Sequence, residues 1–160
     1  MMIIGIDPGL ARVGYGVIAV TDRIPSAVCY GCIETTGEDH STSERLLHIY
    51  TEVATLLEKY PPAQIAVEKL FFTKNITSAM MVSEARGVIL LLAEQRKIPV
   101  TEYTPNQVKQ AITGSGRADK RQVQEMIMRL LRLSEIPRPD DAADALSIAL
   151  CHIHSMGVVR

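Results

Sequence analysis

Near its N-terminus the chain reads Met2-Ile-Ile-Gly-Ile-Asp7-Pro-Gly-Leu-Ala-Arg-Val-Gly-Tyr-Gly16. Residues 2–6 are apolar and rich in β-branched side chains, a pattern typical of a strand buried on both faces. Asp7 ends this run, and Pro8-Gly9 predicts a turn directly after it. A charged side chain is costly at the end of a buried strand unless it is paired, and that end of α/β sheets is also where ligands bind. Asp7 therefore either belongs to a ligand site or simply caps a turn.

The composition is that of an ordinary folded protein, with 47% hydrophobic and 22% charged residues in a chain of 160. We expect one domain spanning residues 1–160. No run reaches the ~18 apolar residues of a membrane span, and no secretory pattern opens the chain, so we expect a cytoplasmic protein without a membrane partner. Residues 1–68 hold four Lys or Arg against nine Asp or Glu, whereas residues 69–160 hold thirteen against nine. The basic second half suggests an anionic partner.

Three strands are predicted at 2–6, 13–20 and 27–35, and the short connections between them favour an antiparallel meander. The sequence Ser41-Thr-Ser-Glu44 has capping-box spacing and opens a helix that Pro61-Pro62 ends. A second buried strand follows at 63–68. Because it is reached through a helix, this strand should run parallel to the first one, with a right-handed crossover.

The second half of the chain predicts one more strand and four helices. The strand spans 98–103, and the helices span 76–96, 105–113, 119–133 and 140–154. We therefore predict an α/β fold: a five-stranded mixed sheet, three antiparallel strands followed by two parallel ones, flanked by helices. Residues 87–93 are apolar around the whole helical cylinder, so either another helix or a second subunit must cover them.

Two cysteines, Cys29 and Cys32, have the spacing of a metal or redox pair. They fall within a predicted strand, where residues three apart point to opposite faces of the sheet. A zinc site would need a second Cys or His pair, and a redox pair is expected at a helix N-terminus. We therefore interpret both as buried or half-buried thiols.

Four carboxylates are predicted to meet at one edge of the sheet. Asp7 and Glu68 each end a buried strand, and these two strands should be neighbours. Asp141 and Asp144 are three residues apart at the start of the last helix and so share one helical face. Acidic residues in a first turn also suit the helix dipole. That explanation does not account for the carboxylates that end the two strands.

Four carboxylates in one place cannot all stay ionised without a cation. Oxygen ligands favour Mg²⁺ or Mn²⁺ over Zn²⁺. Two such ions about 4 Å apart can activate a water and stabilise the leaving oxygen of a phosphodiester. We therefore predict that Asp7, Glu68, Asp141 and Asp144 are catalytic metal ligands for two Mg²⁺ ions, with Mn²⁺ able to substitute.

Basic residues flank the predicted acidic site along the chain and suggest a nucleic-acid track. These are Lys74 in the loop after Glu68, Lys109 on a short helix, and Arg117 and Lys120 around a flexible Gly-Ser-Gly loop. Phe71 and Phe72 lie in the loop after Glu68, and an exposed aromatic there could stack on an unpaired base. We expect one of the two rings to point outward and the other inward.

The chain resembles the RuvC family of Holliday junction resolvases, which has the ribonuclease H-like fold. The resemblance covers residues 3 to about 154, in order. Its matching stretches are Gly5-Ile-Asp-Pro-Gly9, Gly14-Tyr-Gly16, Val67-Glu-Lys-Leu-Phe71, Lys74-Asn75, Ala85-Arg-Gly87, Gln107-Val-Lys-Gln110, Gly114 to Lys120 and Asp141-Ala-Ala-Asp-Ala-Leu146.

This resemblance implies a homodimer that binds a four-way DNA junction during recombination and repair. It implies two symmetric nicks on opposing strands that leave 5′-phosphate and 3′-hydroxyl ends. The family's acidic positions match the four carboxylates above, and Phe71 matches an aromatic position near the strand crossover. Lys109 and Lys120 match basic positions that contact DNA phosphates. The implied partner is the RuvA–RuvB branch-migration complex.

Three other classes share part of this pattern. An ATPase of the actin and sugar-kinase class has a similar first phosphate loop, but it needs two such domains and a second Gly-rich loop. A ribonuclease H acting on RNA–DNA hybrids would use the same chemistry, but the Phe71 loop and the apolar helix argue against it. A junction-binding protein without catalysis would be expected to lack at least one of the four carboxylates.

Overall fold

A five-stranded sheet lies at the centre of this computed structural model, which describes residues 1–35, 40–69 and 76–158. The strands are β1 (Met2–Asp7), β2 (Arg12–Thr21), β3 (Ile24–Glu34), β4 (Gln64–Glu68) and β5 (Val100–Tyr103). Their order across the sheet is β3-β2-β1-β4-β5. The first three strands are antiparallel, β4 is parallel to β1, and β5 is parallel to β4. The predicted mixed sheet is confirmed.

The turn between β2 and β3 is tighter than the sequence predicted. Thr21 already pairs with Ile24, so only Asp22 and Arg23 connect the two strands, and both have positive φ (52° and 65°). Pro25 lies within β3, which is an edge strand, where a missing N–H costs no ladder bond. The predicted start at residue 27 was therefore three residues late.

Five helices surround the sheet. They are α1 (Thr42–Lys59), α2 (Ile76–Gln95), α3 (Pro105–Thr113), α4 (Lys120–Leu130) and α5 (Asp140–Ser155). Side chains cap three of them: Ser41, Thr104 and Asp119 each complete a capping box at the N-terminus of α1, α3 and α4. The predicted end of α4 at Leu133 was three residues late, because Arg132 adopts a positive φ of 54° and breaks the helix.

The two faces of the sheet have separate cores. Helices α1 and α2 cover one face, where Ile4, Ile6 and Val67 pack against side chains such as Ile49 and Ile89. Helix α5, flanked by α3 and α4, covers the other face. Because side chains alternate along a strand, Ile3, Gly5 and Asp7 of β1 all point toward α5.

Helix α2 is only partly covered within the chain. Ala85, Ile89 and Leu92 are buried, whereas Met80 and Leu91 are 61% and 57% exposed. Helix α1 packs against α2, and the Tyr50 hydroxyl donates to Gln95 Oε1 at 3.1 Å. A helix of the same chain therefore covers part of the apolar cylinder and leaves part of it on the surface. Among the described residues, none of the helices combines the length and apolar character needed to cross a bilayer.

Candidate active site

Asp7 and Glu68 occupy adjacent positions at the ends of β1 and β4. The two strands are parallel, and their last paired residues are Ile6 and Val67, directly before the two carboxylates. Adjacent strands lie about 4.8 Å apart, so the two backbones are that close here. Strand alternation places both side chains on the α5 face. The predicted juxtaposition of these two residues is confirmed.

Glycines in the sheet let α5 lie directly on the strands and bring its first turn to the same edge. A β-carbon on Gly14 would overlap the Asp141 carbonyl and lie 3.1 Å from Asp141 Cβ. A β-carbon on Gly5 would lie only 2.6 Å from the backbone nitrogen of Ala149. Any larger residue at these positions would push α5 away from the sheet. Asp141 therefore lies against the start of β2, next to the end of β1.

The charges of the four carboxylates act on one another. Burial, together with the nearby charges of Glu68, Asp144 and Asp141, raises the pKa of Asp7 to about 8, and the charge of Lys120 offsets only part of this effect. Burial, with the charge of Asp144 added, also raises the pKa of Glu68. Burial raises the pKa of Asp144 despite the opposing effect of Lys120. The structure thus brings the predicted quartet into one electrostatically coupled site.

Lys120 contacts this site directly. Its Nζ lies 3.2 Å from Asp144 Oδ2 and 3.2 Å from Asp140 Oδ2. Burial alone would lower the pKa of Lys120, but the two carboxylates outweigh that effect and raise it. Lys109 joins Glu68, Lys120 and Asp144 in lining a cavity of about 240 Å³ beside the acidic cluster. Two of the predicted DNA-contacting lysines therefore lie beside the carboxylates.

The other predicted DNA contacts lie elsewhere. Phe71 and Lys74 are outside the described residues, as is Phe72, so the expectation about the two rings stays a prediction. Arg117 is exposed between α3 and α4 and lines a separate groove of about 800 Å³ with Tyr103 and His154. The structure does not bring Arg117 into the cavity that Lys109 and Lys120 share.

Two residues beside the site were missed from sequence. Arg12 opens β2, and its guanidinium lies 3.4 Å from Glu34 Oε1 and 3.8 Å from Asp141 Oδ2. Asp140 was recognised only as the first residue of the last helix, yet it contacts Lys120. The sequence offered no periodic signal for either, since both lie at the start of an element and reach the site through long-range side-chain contacts.

Cys32 borders the site, and Cys29 does not. Cys32 pairs in register with Gly14, and burial together with the charge of Asp141 raises the pKa of its thiol to about 11. Cys29 packs into the core on the opposite face of the sheet. Both thiols are free and half-buried, and they lie on opposite faces of the sheet, as the alternation along the strand predicted. A thiol with a raised pKa stays protonated near neutral pH and is a poor metal ligand.

The donor set fits hard divalent cations. The quartet offers only carboxylate oxygens, which Mg²⁺ and Mn²⁺ prefer. Three of these groups have a raised pKa, which a bound cation would lower. In the ranges that the structure describes, no three His, Cys, Asp or Glu side chains already enclose an ion position. The Lys120 ammonium lies against Asp144 instead. The carboxylate side chains would have to rearrange for the quartet to share an ion.

The sheet order, the helices on both faces and the carboxylates at the ends of adjoining strands define a nuclease with the ribonuclease H-like fold. The family model described as "Crossover junction endodeoxyribonuclease RuvC" matches residues 3–152. The chain belongs to the RuvC family.

Relatives and solved structures agree with this assignment. A crossover junction endodeoxyribonuclease RuvC from Pseudothermotoga lettingae is 49% identical over all of this chain and 98% of its own length. The one from Roseiflexus sp. is 53% identical over 98% of this chain and 93% of its own length. The structure of T. thermophilus RuvC in complex with a Holliday junction substrate has a TM-score of 0.91 and 36% identity, covering 100% of this chain and 98% of that one. A yeast mitochondrial Holliday junction resolvase, at 16% identity and a TM-score of 0.68 over 98% of this chain and 80% of that one, shares the fold.

Proposed function

We propose that this protein resolves Holliday junctions by two symmetric, metal-dependent nicks in homologous recombination and DNA repair. The observation that carries the proposal is the coupled carboxylate quartet at the ends of β1 and β4, in a chain of the RuvC family. The junction specificity is supported by the T. thermophilus relative, whose structure holds a Holliday junction substrate. We propose that residues 1–160 act as one nuclease domain in the cytoplasm.

The quartet Asp7, Glu68, Asp141 and Asp144 would hold two Mg²⁺ ions, and Mn²⁺ could replace them. When bound, such ions activate a water for in-line attack on a phosphodiester and stabilise the leaving oxygen. The new bond joins the water oxygen to phosphorus, and the bond from phosphorus to the 3′-oxygen breaks. The products are therefore a 5′-phosphate and a 3′-hydroxyl, which a ligase can seal.

The remaining side chains would prepare and position the DNA. Asp7 must lose its proton before it can bind a cation, because burial and its neighbours raise its pKa. Lys109 and Lys120, which line the cavity beside Glu68 and Asp144, would bind the phosphate that enters it. We propose that Lys74 and Arg117 contact the DNA backbone farther from the cut and that Phe71 stacks on a base near the crossover.

Two identical cuts on opposing strands require two sites in one complex. We propose a homodimer in which the exposed apolar residues of α2, Met80, Met81 and Leu91, meet their equivalents in a second copy. The RuvA–RuvB branch-migration complex would supply the junction. Sedimentation of the parent and of a Leu91→Glu variant tests the dimer. A parent that sediments as a monomer at micromolar concentration, free and on the junction, would contradict it.

The experiment that tests the function uses a synthetic four-way junction with each strand labelled in turn. With Mg²⁺ we expect two nicks at symmetric positions on opposing strands, closed again by ligase. Chelation of Mg²⁺ should stop cleavage without releasing the junction. A linear duplex and an RNA–DNA hybrid of the same sequence are the matched substrates. Preferential cleavage of the hybrid would favour a ribonuclease H, and binding without cleavage would favour a non-catalytic junction protein.

A further inference from the structure

We propose that Asp140 is a positioning residue that holds the Lys120 ammonium beside the carboxylate site and directs it toward a DNA phosphate. The inference rests on the proposed function, in which Lys120 contacts the DNA. Asp140 is neither a member of the quartet nor a predicted DNA contact. The juxtaposition that carries the inference is Lys120 Nζ at 3.2 Å from both Asp140 Oδ2 and Asp144 Oδ2.

The carboxylate of Asp140 is itself held in place. Its Oδ1 accepts hydrogen bonds from Gln124 Nε2 at 3.1 Å and from Arg138 Nη1 at 3.3 Å. Gln124 is a buried residue of α4, only 8% exposed, so its amide is fixed by the surrounding core. The other carboxylate oxygen, Oδ2, is left for Lys120. The Asp140 carboxylate is therefore held in one orientation, in which Oδ2 can accept a hydrogen bond from Lys120, and does not rotate freely at the surface.

The backbone of Lys120 is fixed as well. Lys120 is the first residue of α4, directly after Asp119, whose side chain accepts from the Gln122 N–H at 2.9 Å. Lys120 and Gln124 are one helical turn apart and so face the same side of α4, toward Asp140. Only the flexible four-carbon side chain of Lys120 remains free, and its side chain is 54% exposed. The position of its ammonium thus depends on the acceptors at its end.

Without Asp140, the nearest carboxylate for this ammonium is Asp144, which is one of the proposed metal ligands. A lysine paired with Asp144 alone would compete with the cation for the same oxygen. Asp140 gives Lys120 a second partner that it can keep while Asp144 turns to a metal ion. Half-exposed ion pairs contribute little to folding stability, so the effect of Asp140 should appear in binding rather than in unfolding.

The direction in which junction affinity changes when Asp140 is replaced distinguishes a positioning role from a simple charge effect. Asp140→Asn keeps an oxygen for Gln124 and Arg138 but presents an amide instead of a carboxylate to Lys120. If Asp140 acted only as a negative charge near DNA, removing it would tighten junction binding. If it positions Lys120, its removal should weaken binding about threefold to tenfold and reduce the salt slope of log K by about one, the loss of one phosphate contact.

The test measures junction affinity by fluorescence anisotropy across a salt series, without divalent ions. It compares the parent, Asp140→Asn, Lys120→Gln and the double variant. Asp22→Asn removes the same charge in the β2–β3 turn at the other end of the sheet, at a backbone position that Asn also tolerates. We expect unchanged binding for this control, weaker binding for both single variants, and no further loss in the double variant.

The outcomes separate the two proposals. If Lys120→Gln weakens binding but Asp140→Asn leaves it unchanged or tightens it, the positioning role is wrong and the role of Lys120 stands. If the two losses add in the double variant, Asp140 does not act through Lys120. If Lys120→Gln leaves both the affinity and the salt slope unchanged, the DNA contact of Lys120 and the inference built on it both fail.

Discussion

The two ends of α5 differ in how well the polar side chains around them are partnered. At the C-terminal end, the Tyr103 hydroxyl lies 2.8 Å from His152 Nδ1 and 2.6 Å from Ser155 Oγ. His152 Nε2 lies 2.9 Å from Gln64 Oε1, which ties the helix to β4. Burial lowers the pKa of His152, so the ring is neutral near pH 7. Each polar group here has a partner, and the network fixes α5 on the sheet.

At the N-terminal end, Lys120 and Arg12 contact Asp144 and Asp141, but Asp7 beside them has no such partner among the described residues. Within the described residues Asp7 forms no ion pair and no side-chain hydrogen bond, and burial with three neighbouring charges raises its pKa to about 8. Such an arrangement costs stability in the free protein. Hydrogen-bonded groups thus anchor α5 at its C-terminal end, and this anchoring holds carboxylates close together at its N-terminal end.

Asp7→Asn at the N-terminal end should have the largest effect on cleavage. Its amide has the same shape but cannot supply a charged ligand, so we expect Mg²⁺-dependent cleavage to fall by about 10³-fold or more. Junction binding should stay within about twofold of the parent, since Asp7 is half-buried and is not one of the proposed DNA contacts. Single-turnover cleavage and anisotropy measure the two effects. Cleavage equal to that of the parent would remove Asp7 from the site.

Gly14→Ala should be the next most severe change. The added methyl group overlaps the carbonyl of Asp141 and must displace the first turn of α5. A displacement of about 1 Å at a catalytic group costs about 10²-fold in rate, so we expect a loss of that order. Gly31→Ala is the matched control, because its methyl group meets the movable ring of Tyr15 on the other face. Equal cleavage rates for the two variants would argue that the close packing of α5 on Gly14 does not position Asp141.

Divalent-cation binding should depend on pH. The unfolded chain loses the Asp7 proton near pH 4, whereas the folded chain keeps it to about pH 8. Between these values the folded state binds more protons, so its stability falls as pH rises, while a cation that displaces the proton binds more tightly. We expect Mg²⁺ affinity to rise by up to about tenfold per pH unit and to level off near pH 8.

Calorimetric titration at pH 6 to 9 measures this dependence, and Asp7→Asn serves as the comparison. The variant should lose most of the pH dependence, apart from a residual contribution of Glu68 and Asp144, whose pKa values are also raised. A parent whose affinity is the same across this range would show that Asp7 does not exchange its proton for the ion.

A change at the C-terminal end of α5 should affect stability and not chemistry. Tyr103→Phe leaves His152 Nδ1 and Ser155 Oγ without their partner, so we expect unfolding to become easier by about 1–3 kcal/mol. The cleavage rate of the folded protein should change by less than about twofold. Urea unfolding and single-turnover cleavage test the contrast. A large fall in cleavage with no loss of stability would mean that the two ends are not functionally separate.

The sequence predicted what depends on local pattern. The apolar runs that end at Asp7 and Glu68, and the spacing of Asp141 and Asp144, suffice to place four carboxylates at one edge, because strand order follows from the helical crossover. The capping-box spacing from Ser41 to Glu44 likewise predicted the start of α1.

The sequence did not predict the contacts that depend on how helices pack. Lys120 contacts both Asp140 and Asp144 because of how α4 and α5 pack together. No periodicity in the sequence predicts that packing. The bond between Tyr103 and His152 joins residues 49 apart in the chain. The reach of Arg12 to Asp141 depends on a side-chain rotamer. In each case the decisive information lies in tertiary packing.

The proposed function requires the four carboxylates to bind divalent cations as a group. The most direct test is anomalous diffraction from crystals of the protein soaked in Mn²⁺. We predict two peaks about 4 Å apart, with Asp7 oxygens in contact with at least one of them and the other carboxylates completing both. Well-ordered Mn²⁺ peaks elsewhere on the protein, with no peak within about 4 Å of Asp7, would show that the quartet does not bind divalent cations together.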